Sequence, residues 1–318
     1  MRVLLALGGN AMTAPDGSAT PAAQIAAITA AMSSAAELVA AGHELMITHG
    51  NGPQVGNLLV KNELAANVVP PVTLDWCGAQ TQGTLGFTIL DALHGALAAR
   101  GLQRPAAALV SRTLVDGDDP GFTRPTKPIG RYLPADQAEV LIEHGQTWED
   151  RGERGWRRVV ASPEPLDLLD VDAALALLAA GFVVVSSGGG GIPVVRDGDG
   201  GLRGVEAVID KDLTAALLAR KAGADVLVIA TDVDHAAVGF GTPDQRDLGR
   251  ITLQELQSHA TDGQFASGSM GPKVEAAMRF VAGGGRRSVI TSLSRITEAV
   301  AGDFGTVIEA SAEHSSSA

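Results

Sequence analysis

Cys77 is the only cysteine in 318 residues, which excludes an internal disulfide and suits a reducing cytoplasm. Aromatic residues make up only 3% of the chain. Lysine is scarce too: Lys61, Lys127, Lys211, Lys221 and Lys273 are five of 24 cations, and the rest are arginine. No basic run offsets the net charge of -12, so neither nucleic acid nor an anionic membrane is an expected partner. Apolar residues, 45% of the chain, never run uninterrupted for about 18 positions, so no membrane span is expected. The seven histidines lack the i, i+4 pairing of a zinc site. Nothing fits G-x-x-x-x-G-K-[ST], and the glycine run at 188–191 lacks the spacing and downstream acid of a dinucleotide fingerprint. Met1 leads directly into strand-like residues, so no secretory leader is expected.

What is present is glycine, 39 residues of it, placed between apolar runs. Val3–Leu7 reads as a buried strand ending in Gly8-Gly9-Asn10. Residues 22–41 put Ile25, Ile28, Met32 and Val39 on one helical face, with Gly42 as the stop. A strand at 43–48 then meets His49-Gly50-Asn51-Gly52-Pro53, which opens a helix. Helices near 81–99, 171–180 and 212–221 precede strands at 106–115, 182–186 and 225–230. Strands without period-two alternation, separated by helices, predict an α/β fold with a mainly parallel sheet covered on both faces.

Residues 117–165 break that rhythm with six prolines, an arginine cluster at Arg151, Arg154, Arg157 and Arg158, and four of the eleven aromatics. So long a connection is either disordered or a lid, and its aromatics favour an ordered insertion that packs on something. The small, polar stretch 311–318 reads as a frayed tail.

In parallel sheets, ligands bind beyond the carboxyl ends of the strands, where glycine turns expose N–H groups at helix starts. Four turns qualify: Gly8-Gly9-Asn10, Gly50-Asn51-Gly52, Gly188 to Gly191, and Gly268-Ser269-Met270-Gly271. Together they favour an anion site. Lys273 follows Gly271-Pro272 at the expected first turn of a helix 273–282, with a salt bridge to Glu275 as the alternative. Asp210-Lys211-Asp212 opens another helix, and its two acids would hold a lysine charged and aimed, though such triplets also occur on ordinary surfaces. Lys127 sits in the stiff loop Pro125-Thr126-Lys127-Pro128-Ile129-Gly130, whereas Lys61 and Lys221 lie in polar helical stretches and read as solvated. Lysines and glycine turns without a nucleophile elbow match phosphoryl transfer, which needs alignment and charge stabilisation. Cys77 reads as a small buried residue rather than a nucleophile.

Several of these motifs, in this order, resemble those of the carbamate kinases within the amino-acid kinase family. They are Ala6 to Ala11, His49 to Asn57, Pro125 to Gly130, Gly155 to Val160, Gly188 to Pro193, Gly204 to Asp212 and Gly268 to Lys273, spread through nearly the whole chain. The resemblance implies a single domain over 1–318, an open αβα sandwich of about eight mainly parallel strands, with 117–165 as a protruding lid. It implies reversible phosphoryl transfer between ATP and carbamate, giving ADP and carbamoyl phosphate, with Mg²⁺ and in a homodimer. Gly8, Gly9, Asn10, Gly50, Asn51, Gly52, Gly188 and Gly189 would then bind the phosphoryl and carbamate. Lys211 and Lys273 would neutralise ATP phosphates with Asp210 orienting them. Thr231, Asp232, Asp234, Gly268, Ser269 and Met270 would border the nucleotide.

One departure is informative. Related kinases of carboxylates and UMP usually carry a lysine two residues before the first glycine of the opening pair, and here that residue is Ala6. Lys127 on the lid is the expected replacement, reaching the site when the lid closes. Ala6 counts against a kinase of another small carboxylate. Retention of Asp210, Lys211 and Lys273 counts against a silent nucleotide-binding regulator.

Overall fold

A computed structural model of the chain describes residues 1–9, 20–265 and 270–310. Asn10, Gly268, Ser269 and the tail 311–318 lie outside the described residues. The largest sheet has eight strands in the order β15 (Arg250–Thr252), β17 (Thr306–Glu309), β16 (Arg287–Ser292), β12 (Val226–Thr231), β1 (Arg2–Leu7), β2 (Glu44–His49), β9 (Val183–Val185) and β3 (Ala106–Ala108). Every neighbouring pair in it is parallel except β16 with β17.

Alternate strand residues divide between two cores. Leu4, Ala6, Met46, Leu227, Ile229 and Ile290 pack under α6 (Val171–Ala179), α7 (Lys211–Lys221), α8 (Leu253–Thr261) and α9 (Met270–Ala282). Val3, Leu5, Leu7, Ile47, Val228 and Val289 pack on the other side, under α1 (Pro21–Ala40), α3 (Leu74–Ala98) and α10 (Ile296–Ala301). The central strands are therefore apolar throughout because both faces are covered, and the molecule is an αβα sandwich. Helix α1 is apolar and 20 residues long, enough by length to cross a bilayer, but Ile28, Ala31, Met32 and Ala35 on it are buried in the second core. Ile25, expected on that buried face, is instead 51% exposed.

Two sequence readings change. The single strand expected over 106–115 is two: β3 belongs to the main sheet, and β4 (Arg112–Leu114) joins a second sheet in the order β11 (Leu202–Gly204), β10 (Ile192–Arg196), β4 and β8 (Asp167–Leu168). The run Gly188–Gly191 leads through a 3₁₀ turn into β10, not into a helix. A small hairpin, β13 (Ala237–Val238) with β14 (Arg246–Asp247), stands apart.

Residues 117–165 are ordered. They contain α4 (Pro120–Thr123), β5 (Lys127–Leu133), α5 (Ala135–Glu143), β6 (Trp148–Asp150) and β7 (Trp156–Val160), with β5, β7 and β6 forming an antiparallel sheet. Leu133, Ala138 and Trp148 give this insertion its own small core, and Ile129 and Val160 seat it on Val55, Leu59 and Leu74 of α2 (Gln54–Ala65) and α3. The seam is tightest where Gly56 of α2 meets Gly130: a Cβ added at Gly56 would lie 2.7 Å from the Gly130 Cα. Gly56→Ala is therefore expected to lever the insertion off α2 and to speed proteolytic cleavage within 117–165. The comparison is Gly83→Ala on α3, where an added Cβ meets nothing within 4 Å. That substitution should leave cleavage unchanged and stabilise the helix by about 0.5–1 kcal/mol in urea unfolding.

Candidate active site

Strands β1, β2 and β12 end in register, with Leu7 opposite both His49 and Ala230. The residues that follow these ends therefore meet on one edge of the sheet. The Gly8 N–H donates to Ala230 O at 2.8 Å and the Gly50 N–H to Leu7 O at 3.0 Å, which extends the ladder by one step. Those two N–H groups are thus engaged in the sheet, while Gly9, Asn51, Gly52 and Gly189 keep theirs free of backbone partners among the described residues. The turns pack backbone on backbone. A Cβ on Gly50 would sit 2.9 Å from Gly9 N, and one on Gly9 would sit 3.0 Å from Gly52 N, so only glycine permits the approach.

The third turn is fixed from behind. Gln82 on α3 donates to Gly188 O at 2.8 Å and to Ser111 O at 3.0 Å, and accepts from Ser111 N. Thr113 and Thr214 both donate to Gly190 O. Ser187, at φ 55, holds a left-handed conformation unusual for a residue with a side chain. Gly188 lies behind the cavity with its Cα against the His49 ring, while Gly189 faces the cavity.

These turns line a cavity of about 240 Å³ together with Lys127, Lys211, Lys273, Asp210, Asp212, Arg157 and Thr231. Lys127 arrives from the insertion and its Nζ lies 2.6 Å from Asp210 Oδ2. Asp210 also caps α7, its Oδ1 accepting from Asp212 N at 2.9 Å and Leu213 N at 3.4 Å. Asp212 is 3% exposed and shared between two cations: Lys211 Nζ bonds Oδ1, and Lys273 Nζ lies 3.4 Å from Oδ2. Glu275, the partner considered for Lys273 from sequence, pairs instead with Arg279 at 2.6 Å. Helix α9 begins at Met270, so Pro272 sits inside its first turn, where a missing N–H is harmless. Lys221, read as solvated, pairs with Asp167 at 2.7 Å, away from the cavity.

Electrostatics follow from these contacts. Burial lowers the pKa of the Lys211 ammonium, and the neighbouring Lys273 charge adds to that against the pull of Asp212 and Asp210. Burial alone would raise the Asp210 carboxyl, but Lys127 and Lys211 outweigh it and hold the group below the ordinary carboxylate value. The Cys77 thiol is raised by burial and accepts a 3.5 Å contact from Asn62, as suits an inert core residue.

A second cavity, of about 350 Å³, is lined by Asp232, Val233, Asp234, His235, Phe240, Phe265 and Met270. The expected nucleotide residues thus divide: Thr231 and Lys273 line the first cavity, and Asp232, Asp234 and Met270 the second. Asp212, read from sequence as a partner of Lys211, holds Lys273 as well, and sequence reasoning did not single out Arg157, Phe240 or Phe265 for the site. The motif Gly155 to Val160 could have pointed at Arg157, and Phe240, a scarce aromatic six residues after Asp234, at the second cavity, whereas Phe265 lies 31 residues further on than Asp234 and carried no local signal.

Cations and free N–H donors gathered at the carboxyl end of a parallel sheet define an α/β enzyme that handles phosphate. The model of the amino acid kinase family matches residues 1–292, and the chain belongs to that family. It is 44% identical over 311 residues to a carbamate kinase of Thermococcus kodakarensis, covering 96% of this chain and 98% of that protein. It is 43% identical over 311 residues, with the same coverage of each, to the carbamate kinase-like protein YqeA of Escherichia coli. Among solved structures, carbamate kinase from Giardia lamblia bound to AMP-PNP superposes with a TM-score of 0.91 at 39% identity, over 97% of this chain and 98% of that one.

His49 ends β2 with its ring fully buried and Nδ1 2.9 Å from Gly50 O. Burial lowers its pKa from 6.5 to about 4, so the folded chain resists a proton that the unfolded chain accepts. The resulting stability is complete above pH 6.5 and is lost as pH falls towards 4, a change of roughly 3 kcal/mol. Urea unfolding of His49→Gln between pH 6.5 and 4.5 should show a flatter pH dependence than wild type. Parallel slopes would mean that another group carries the dependence.

Proposed function

We propose that the chain is a carbamate kinase, transferring a phosphoryl group reversibly between ATP and carbamate, and that its use is to make ATP from carbamoyl phosphate in nitrogen-compound catabolism. The observation that carries this reading is the position of Lys127. It comes from the insertion, lies in the same cavity as Lys211 and Lys273, and stands in for the cation that Ala6 cannot supply on β1. The near full-length similarity to carbamate kinases supports the substrate.

In the ATP-forming direction the bond between phosphorus and the carbamoyl oxygen breaks, its electron pair staying on carbamate, while an oxygen of the ADP β-phosphate forms the new bond. The protein's task is alignment and neutralisation. Lys127, Lys211 and Lys273 are the proposed counter-charges, and Asp210 orients Lys127. Free N–H groups of Gly9, Asn51, Gly52 and Gly189 are the proposed donors to the transferring phosphoryl and the carbamate, with Gly8 and Gly50 setting the turns. Thr231, Asp232, Asp234 and Met270 border the nucleotide in this reading, its base end in the second cavity. Closure of the insertion would bring Lys127 to the phosphoryl group and exclude water that could hydrolyse carbamoyl phosphate.

Mg²⁺ is the proposed cofactor. No cluster of three His, Cys, Asp or Glu among the described residues suits a metal, and both cavity carboxylates are paired with lysines. The residues therefore fit a cation carried in on the nucleotide phosphates, with Asp210 and Asp212 beside it. Bound there, it would neutralise charge between the phosphates. A cytoplasmic location is proposed with this reading.

A coupled assay of ATP formation from ADP, Mg²⁺ and carbamoyl phosphate, run beside acetyl phosphate, tests the activity. No ATP above the rate without enzyme would remove the substrate assignment. In the same assay Lys127→Ala is expected to lose at least about a hundredfold in turnover, the scale of removing one charge-stabilising donor. Lys61→Ala, on an exposed part of α2, should match wild type.

A homodimer is the proposed assembly. Trp76 and Phe87 on α3 are 62% and 58% exposed, and a partner copy would cover them. The double variant Trp76→Glu, Phe87→Glu should sediment as a monomer, and an intact dimer would place the interface elsewhere.

A further inference from the structure

We propose that Arg157 binds the carbamoyl end of the substrate, gripping its oxygens with the guanidinium fork, an inference that rests on the carbamate kinase reading. Arg157 is the one arginine among the described residues that line the first cavity. It stands on β7 of the insertion, opposite Tyr132 in the β5 ladder, on the side supplied by Lys127, Pro128 and Ile129. The residues that lead on to the second cavity come instead from β12 and α9, through Thr231, Pro272 and Lys273. The arginine thus belongs to the end away from the nucleotide.

Its partners set it apart from the lysines. Lys127 is paired with Asp210, and Lys211 and Lys273 share Asp212, whereas no carboxylate among the described residues forms a salt bridge with Arg157. Its guanidinium lies 5.0 Å from the Tyr132 ring centroid, and one Nη reaches the Tyr132 hydroxyl at only 3.4 Å. Its Nε is shut away from solvent without a hydrogen-bond partner. A buried N–H left unpaired in a charged group is rare and unfavourable, and a ligand oxygen that draws the side chain into the cavity relieves it. Stacking on the ring keeps the fork planar and oriented until then. Carbamate is a planar carboxylate, which a guanidinium meets with two parallel hydrogen bonds and an ammonium does not. As the phosphorus–oxygen bond breaks, the electron pair left on the carbamate oxygen lies against this cation.

The test is initial rates of ATP formation for wild type, Arg157→Ala and Arg157→Lys, with carbamoyl phosphate and ADP varied separately and each variant checked by thermal melting. The KM for carbamoyl phosphate should rise about tenfold or more in Arg157→Ala, the scale of one charged hydrogen-bonding contact. Arg157→Lys, which keeps the charge and loses the fork, should not restore it, and the KM for ADP should stay within about twofold in both. A carbamoyl phosphate KM within about twofold of wild type in Arg157→Ala, or equal rises in both KM values, overturns the proposal. If Arg157→Ala does not fold, Arg157→Lys is judged by the same two criteria. A wild type that makes no ATP from carbamoyl phosphate is a distinct result, and it removes the underlying reading along with this one.

Discussion

Three ammonium groups in one cavity repel one another, and the site stands because two buried carboxylates are interleaved with them. Unit charges about 4 Å apart interact by roughly 4 kcal/mol near a protein surface, so the order in which they alternate decides the sign of the whole. Lys127 faces Asp210, while Lys211 and Lys273 divide the two oxygens of Asp212. Asp210 does more than balance charge. One of its oxygens caps α7 and the other holds the insertion's lysine, so the start of a core helix and the position of the lid share one side chain. Both acids are buried, at 8% and 3% exposure, and removing Asp212 would take the bonded carboxylate from the buried Lys211 ammonium.

The backbone side of the cavity is as constrained as the charged side. The turns after β1 and β2 touch at their glycine Cα and N atoms, which fixes their separation without any side chain. The turn after β9 also approaches backbone, a Cβ at Gly190 falling 2.6 Å from Ile209 O, and side chains hold it as well. Gln82, Thr113 and Thr214, from α3, β4 and α7, each bond a carbonyl of that turn and confine it from three elements. Their bonds go to the carbonyls of Gly188 and Gly190, and Gly189 between them lines the cavity with its N–H free of backbone partners among the described residues.

The parts legible in the sequence were those written locally. Apolar runs between helical stretches gave the parallel sheet, since both faces of β1, β2 and β12 are buried and the buried polar residues Thr48, His49 and Thr231 come only at the carboxyl ends of β2 and β12. The split of 106–115 was not legible, because no glycine or proline interrupts Ala106 to Val115 while the chain passes from one sheet to another. The glycines at 188–191 announced a turn correctly, but the next element is a strand, as the run Ile192–Val195 already indicated. Lys211 and Asp212 are neighbours and could be read together, whereas the bond from Asp212 to Lys273 spans 61 residues and is a product of α7 packing on α9. Arg157 was one of six arginines in the insertion until the β5–β7 register set it beside Tyr132 and the cavity.

The scarcity of lysine and the strong acidity of the chain then belong to one design. At a net charge of -12 the surface disfavours anionic ligands at long range, yet salt screens exposed charges beyond about 8 Å at physiological strength. What an incoming phosphate meets at close quarters is the cavity, where Lys127, Lys211, Lys273 and Arg157 face only Asp210 and Asp212. Walls of low dielectric keep that local excess of positive charge from being screened. Three of five lysines stand there while arginine supplies most of the remaining cations, which fits the difference in shape: a compact ammonium can crowd a phosphoryl group from several sides. A planar guanidinium is better used once, at the end of the cavity where the ligand is planar too.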